Sequence, residues 1–286
     1  MMLAMVKTGS VSRRGFLQAG AAGLVAAGSL RSNPLGYPIG CQTWPVRQTI
    51  GTDLTGTLHE LAGWGFERIE MCSPPGYTSM GFGPLAAMQP AELRAKITAA
   101  GLGCESCHFG FTELKDHFDD RLAWAQGMGL KQMIISTFWM PKDAKMADWM
   151  HAVEDANKIG ERTHKAGIQL GFHNHDFEFQ KIDGELIYDK LLSEFDPKLV
   201  KMQFQVSVIK SGYQAADYFE RYPGRFLSIH LQDWSPEKKK EVALGQGIVD
   251  WKRLWTAARK SGAKNYFVEV DREDLQASVQ FLKGLS

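Results

Sequence analysis

A single-domain (β/α)8 barrel is the fold class this sequence predicts, and three observations predict it. Short apolar runs with strand character alternate eight times with longer amphipathic segments at helical spacing. Several of those amphipathic segments stop at a glycine, at Gly65, Gly101, Gly129, Gly167 and Gly262, where a left-handed C-cap turns the chain into the next strand. Polar side chains collect at the C-terminal ends of the strand runs, where a barrel of this type (a TIM barrel) keeps its reactive groups.

Taken in order, the strands are expected over Tyr37 to Trp44, Phe66 to Met71, Gly103 to Phe109, Gln132 to Ser136, Ile168 to His173, Leu199 to Val206, Phe226 to Leu231 and Tyr266 to Val270. Helices are expected between and after them, over Leu54 to Trp64, Pro90 to Ala100, Leu114 to Met128, Ala147 to Ala166, Leu186 to Glu194, Gln214 to Tyr222, Trp251 to Ser261 and Leu275 to Leu282. A doubly wound open sheet is the competing arrangement. It lacks the glycine fingerprint after the first strand, since Gly81-Phe82-Gly83 falls in a later loop. That loop, Ser73 to Met88, is long enough to cover the rim and shape specificity.

The 286 residues, 44% hydrophobic and 23% charged, suffice for one large core, and a formal net charge of +1 excludes a global field for nucleic acid. The basic run Lys238-Lys239-Lys240 follows Ser235-Pro236-Glu237 and reads as a solvated loop tip. Residues 1–33 stand apart. Arg13-Arg14 precedes an Ala/Gly-rich run from Ala19 to Leu30, the layout of a Tat export signal, too short and too weakly apolar for a stable membrane span. The expectation is a periplasmic or otherwise exported protein, its mature chain beginning between Arg31 and Pro34 and its barrel spanning 34–286.

The densest chemistry lies in Gly171-Phe172-His173-Asn174-His175-Asp176-Phe177-Glu178-Phe179, after the fifth strand run. Alternation along an extended strand puts His173 and His175 on one face. The other strand ends carry Gln42 and Trp44, Glu70 and Cys72, Ser106 and His108, Trp139, Gln203 and Gln205, His230 and Gln232, and Glu269 and Asp271. Singly each has a structural explanation. Together they mark an active site at one end of the barrel.

The strand-five segment, with Ile229-His230-Leu231-Gln232-Asp233, Gly245-Gln246-Gly247-Ile248-Val249-Asp250 and Phe267-Val268-Glu269-Val270-Asp271, resembles the xylose-isomerase-like TIM barrels, the sugar phosphate isomerases/epimerases. The likeness runs from Tyr37 to the end, and the H-N-H-D-F-E-F motif suggests an exported branch. It implies a divalent metal held from strands five to eight by Glu, Asp, His and Glu. Here those positions hold His173, Gln205, His230 and Glu269, so two carboxylates are replaced. Manganese, zinc, iron or cobalt then suits the set better than magnesium. The implied activity is sugar isomerisation or epimerisation by proton abstraction beside a carbonyl of a small carbohydrate, with Glu269, Glu70 or His175 moving the proton. Trp44, His108, Trp139, Gln203, Gln232 and Asp271 are the expected substrate contacts. The alternatives are a lyase or hydrolase acting on keto-glycosides and a non-catalytic exported sugar-binding barrel; homo-oligomerisation stays open.

Cys104-Glu105-Ser106-Cys107-His108 spells a haem-attachment motif, but in a strand residues 104 and 107 face opposite sides, so structural cysteines are expected. A bridge from Cys72 to Cys104 or Cys107 is left open.

Overall fold

The computed structural model describes residues 36–285. The expected export signal with Arg13 and Arg14 lies outside the described residues. Eight parallel strands close on themselves: β1 (Gly40–Gln42), β2 (Arg68–Cys72), β3 (Gly103–Phe109), β4 (Gln132–Ile135), β5 (Gln169–His173), β6 (Val200–Gln205), β7 (Phe226–Leu231) and β8 (Asn265–Val268). Each pairs with its sequence neighbours, and β1 closes the ring by pairing with both β2 and β8. This is the predicted (β/α)8 barrel.

Burial on both faces explains the apolar runs. All six residues of β7 are buried, as a strand between a filled barrel interior and an outer helix layer must be. At Gly171 in β5 a Cβ would stand 2.6 Å from Ile134 Cδ1 and 2.9 Å from Leu227 Cδ2, so a side chain there would displace the packing of β4 and β7.

The outer layer is built from α1 (Arg47–Ile50), α2 (Leu54–Trp64), α3 (Pro90–Ala99), α4 (Phe111–Asp116), α5 (Phe118–Met128), α6 (Met146–Lys165), α7 (Ile187–Glu194), α8 (Ala215–Arg221), α9 (Trp251–Ser261) and α10 (Leu275–Gly284). Their ends carry the signals read in the sequence. Asp53 accepts from the Gly56 N–H at 2.9 Å to cap α2, and Asp250 accepts from the Arg253 N–H at 2.9 Å to cap α9. Gly65 and Gly262, both at positive φ, end those two helices.

Three local differences have physical causes. The first strand keeps three residues instead of eight, because Pro45 begins a 3-10 turn over Trp44–Val46. The helix expected over Leu114 to Met128 is two, divided where His117 leaves the helical region at φ −132°. A hairpin joins Lys181–Ile182 to Glu185–Leu186 through Asp183-Gly184, both at positive φ, as a tight primed turn requires. A second hairpin, Asp233–Ser235 with Lys240–Val242, carries the lysine run near its exposed tip.

All four cysteines are free thiols and buried, so no bridge joins Cys72 to β3. Burial pushes their acidities down, Cys104 to a pKa of about 12. Among the described residues no helix is long and apolar enough to cross a membrane.

Strand register places the chemistry. Gln42 lies opposite Glu70, Glu70 opposite Ser106, Cys72 opposite His108, His173 opposite Gln203, and Gln205 opposite His230. Polar residues far apart in the chain therefore ring the C-terminal end of one barrel.

Candidate active site

At the base of the site Glu70, fully buried, is the hub. Its Oε1 accepts from Ser106 Oγ at 2.5 Å and from Gln203 Nε2 at 2.8 Å; its Oε2 accepts from Gln42 Nε2 at 3.0 Å. The same Oε2 stands 2.6 Å from His230 Nε2 and 3.1 Å from His108 Nε2. Burial pushes this carboxyl up, but the charge and hydrogen bonds of the two histidines outweigh burial and hold it well below the usual carboxylate range. A carboxylate so occupied is a fixed charge that orients imidazoles.

His230 spans two carboxylates. Its Nδ1 lies 2.8 Å from Glu269 Oε2 while Nε2 meets Glu70. Burial disfavours the imidazolium, yet Glu269 and Glu70 more than offset it and lift His230 to about 9. Glu269 in turn sits below the ordinary carboxylate range: burial opposes ionisation, and His230 overrides it.

Three imidazoles, those of His108, His173 and His230, bring ligand atoms within 4.8 Å of one another. His108 and His230 stack with ring planes 2° apart, and the His173 ring centroid is 4.5 Å from that of His230. Such a group can hold a divalent ion. Two further observations concern fit: the buried atoms His173 Nδ1 and Gln205 Oε1 have no hydrogen-bond partner among the described residues. Unpartnered buried lone pairs are costly in a finished core, and a cation would satisfy them. The donor set of imidazole, amide and carboxylate suits borderline ions better than magnesium.

A cavity of about 280 Å³ opens above these groups. Trp44, His175, Gln205, Gln232, Glu269 and Asp271, all expected from the sequence, line it. Glu70, His108 and Gln203 lie outside that lining; Gln203 Oε1 meets His108 Nε2 at 2.6 Å, and its Nε2 also donates to Ser228 Oγ at 2.8 Å. Trp139 lines a different cavity. The Ser73 to Met88 loop contributes nothing to the mouth, because Tyr77 and Phe82 are buried and the Tyr77 hydroxyl is tied to Ser136 Oγ at 2.6 Å.

Two charged mouth residues were not singled out in the sequence. Arg47 lies with its guanidinium 4.4 Å from the Trp44 ring centroid and donates to the Trp44 carbonyl at 2.9 Å. Glu241, on the second hairpin, is raised to about 7 by burial and the charge of Glu269. Neither has a motif to find it by, since the first sits in a single-turn helix and the second beside a lysine run.

His175 is held by its backbone N–H, which donates to Glu178 Oε2 at 2.7 Å, and by stacking on Phe177 with centroids 5.1 Å apart. Burial lowers it to about 4, so near neutrality it is a neutral imidazole with a free lone pair.

Residues 58–285 match the xylose isomerase-like TIM barrel family. Among characterised relatives, inosose dehydratase of Lacticaseibacillus casei is 23% identical over 150 residues, 46% of this chain and 50% of that protein. The chain thus spans about half the length of the relative it matches. Among solved structures, a sugar phosphate isomerase/epimerase from Parabacteroides distasonis superposes with a TM-score of 0.72 at 22% identity, covering 87% of this chain and 96% of the other. The probable 3-DHS dehydratase AsbF of Bacillus anthracis gives 0.67 at 14% identity, over 87% and 100%. At these identities the structural likeness concerns the fold.

Proposed function

The chain belongs to the xylose isomerase-like TIM barrel family, and on that premise we propose that it is a metal-dependent lyase, eliminating a leaving group β to the carbonyl of a small keto-sugar or keto-polyol. The observation that carries this reading is the cluster of unpartnered donors, His173 Nδ1 and Gln205 Oε1, around the His230–Glu269 pair. His230 Nδ1 and Glu269 Oε2, 2.8 Å apart, would present neighbouring donors to one ion. His173, Gln205, His230 and Glu269 would hold the ion; Glu70 behind His230 then orients that imidazole. When bound, the ion would polarise the substrate carbonyl and make the adjacent C–H acidic.

The chain's own residues supply the proton transfers. His175, neutral and part of the mouth lining, takes the α proton. Glu241, raised to about 7 and so partly protonated near neutrality, returns a proton to the departing oxygen. Gln232, Asp271 and Trp44 contact the sugar. Beside Glu241, the carboxylates of Glu269 and Asp271 line the mouth against one guanidinium that is already engaged with Trp44, which disfavours an anionic phosphorylated substrate.

An epimerase needs two bases flanking one carbon. Glu70, the second carboxylate, is saturated with partners and walled off from the cavity, which argues for elimination. The dehydratase name of the L. casei relative supports the same choice.

The test is incubation of metal-loaded protein with an inosose in deuterated buffer. An unsaturated ketone absorbing in the ultraviolet, with water released, is the expected product. Deuterium exchange followed by inversion or carbonyl migration, with no enone, would replace this reading with an epimerase or isomerase.

A further inference from the structure

Beside the mouth lies a second, larger cavity of about 540 Å³, between the segment after β4 and the hairpin after β5. Trp139, Met140, Trp149, Phe177, Ile182 and Ile187 form most of its wall. A stacked pair of rings stands between it and the mouth: Phe177 faces this cavity while its ring lies against His175, with planes 10° apart, and His175 lines the mouth. The volume falls within the range of small-molecule pockets, roughly 300–1,000 Å³.

Trp139 is the unexplained residue. It is 68% exposed, more than any other large hydrophobic among the described residues, and its backbone stands at φ +53°. A bulky side chain is disfavoured in that region and persists where something holds it. Here the Trp139 N–H donates to Thr137 Oγ1 at 3.2 Å, which fixes the turn and leaves the indole face bare. Lys142, Gln180 and Lys181 complete the lining, but aromatic and aliphatic side chains make up the larger part of it, and their faces match a flat apolar group better than a second sugar.

We propose that this cavity is a subsite for the aromatic leaving group of a two-part carbohydrate, so that the substrate is an aryl 3-keto-glycoside with its keto-sugar in the mouth and its aglycone against Trp139. The assignment rests on the lyase reading above. In the reaction the C2–H bond breaks and its proton passes to a base. The electron pair becomes the C1–C2 double bond, the C1–O bond breaks, and the released oxygen takes a proton, giving an unsaturated keto-sugar and a phenol. The balance needs no oxidant. The carbonyl must come from an earlier oxidation of a ring hydroxyl in an ordinary glycoside.

The experiment compares 4-nitrophenyl and methyl 3-keto-β-glucosides on metal-loaded wild type and Trp139→Ala. It is paired with calorimetric binding of unoxidised 4-nitrophenyl β-glucoside, which needs no turnover. Wild type is expected to prefer the aryl substrate in kcat/KM. Trp139→Ala is expected to cut that preference about tenfold and to weaken aryl glucoside binding about tenfold. An unchanged preference and unchanged binding in Trp139→Ala overturn the subsite. So does a 3-keto-disaccharide that matches the aryl compound and depends equally on Trp139. If an inosose is dehydrated while neither glycoside reacts, the subsite fails and the lyase reading stands. If no compound loses a proton or a leaving group yet aryl binding still depends on Trp139, the lyase reading fails and the cavity remains a site for aryl groups.

Discussion

Glu70 and His230 show how one buried carboxylate organises a site. Glu70→Gln keeps the shape but removes the charge between His108 and His230, leaving a buried imidazole facing an amide. The expected cost is about 3 kcal/mol in urea unfolding, with a matching loss of turnover, because removing one partner of a buried pair strands the other. No change in either would show that the carboxylate neither stabilises the barrel nor positions His230. At the proposed metal, ligand strength sets the order. His230→Ala should abolish bound metal, whereas Gln205→Asp should retain or tighten it by restoring a negative charge. Metal per chain by elemental analysis decides, and full occupancy in His230→Ala would remove that residue from the ligand set.

The second hairpin and the segment after it act as one element, and Asp233 ties them. Its Oδ2 accepts from the Gly245 and Gly247 N–H groups at 2.9 and 3.0 Å and from Trp251 Nε1 at 3.3 Å; its Oδ1 accepts from Val249 N–H at 3.1 Å. A Cβ on Gly247 would stand 2.1 Å from that carboxylate, which explains the glycine of Gly245-Gln246-Gly247. Asp233→Ala leaves these donors unpaired. Faster amide hydrogen exchange at Gly245, Gly247 and Val249 is expected, with a loss on the order of 3 kcal/mol in stability. Because Glu241 pairs opposite Trp234 on this hairpin, turnover should fall with it. Unaltered exchange would show that the loop is held by other contacts.

For the whole molecule, pH dependence follows from Glu178, fully buried behind the His175 turn. Burial raises its carboxyl to about 8, against an ordinary value of 4.5. Between those values the folded chain holds a proton that the unfolded chain has lost, so this group's contribution is full below pH 4.5 and declines as pH rises towards 8. Metal-free wild type should therefore lose stability to urea from pH 5 to pH 8, and Glu178→Gln should flatten the slope. Parallel slopes in the two proteins would place the titration elsewhere. We also propose export through the Tat route, on the Arg13-Arg14 pair and the apolar run behind it. Replacing both arginines by lysine should leave the protein in the cytoplasm; unchanged export would refute it.

The sequence by itself determined the barrel and most of its elements, because alternating apolar periods, aspartate caps and closing glycines are local signals: α2 and α9 run over the expected residues, as do β3 and β7. It also determined which strand ends carry polar groups. Their division into a sealed layer and an open mouth was decided only by the tertiary structure, through barrel register. Gln203 is buried while Gln205, two residues further along the same strand, lines the cavity, and a single sequence does not encode depth along the barrel axis. Arg47 and Glu241 stayed hidden for the same reason, being polar residues on short irregular segments that only chain closure brings over the site. Trp139 is the converse case: an aromatic that reads as core or sugar platform stands bare over a separate cavity, because a left-handed backbone turns it outward.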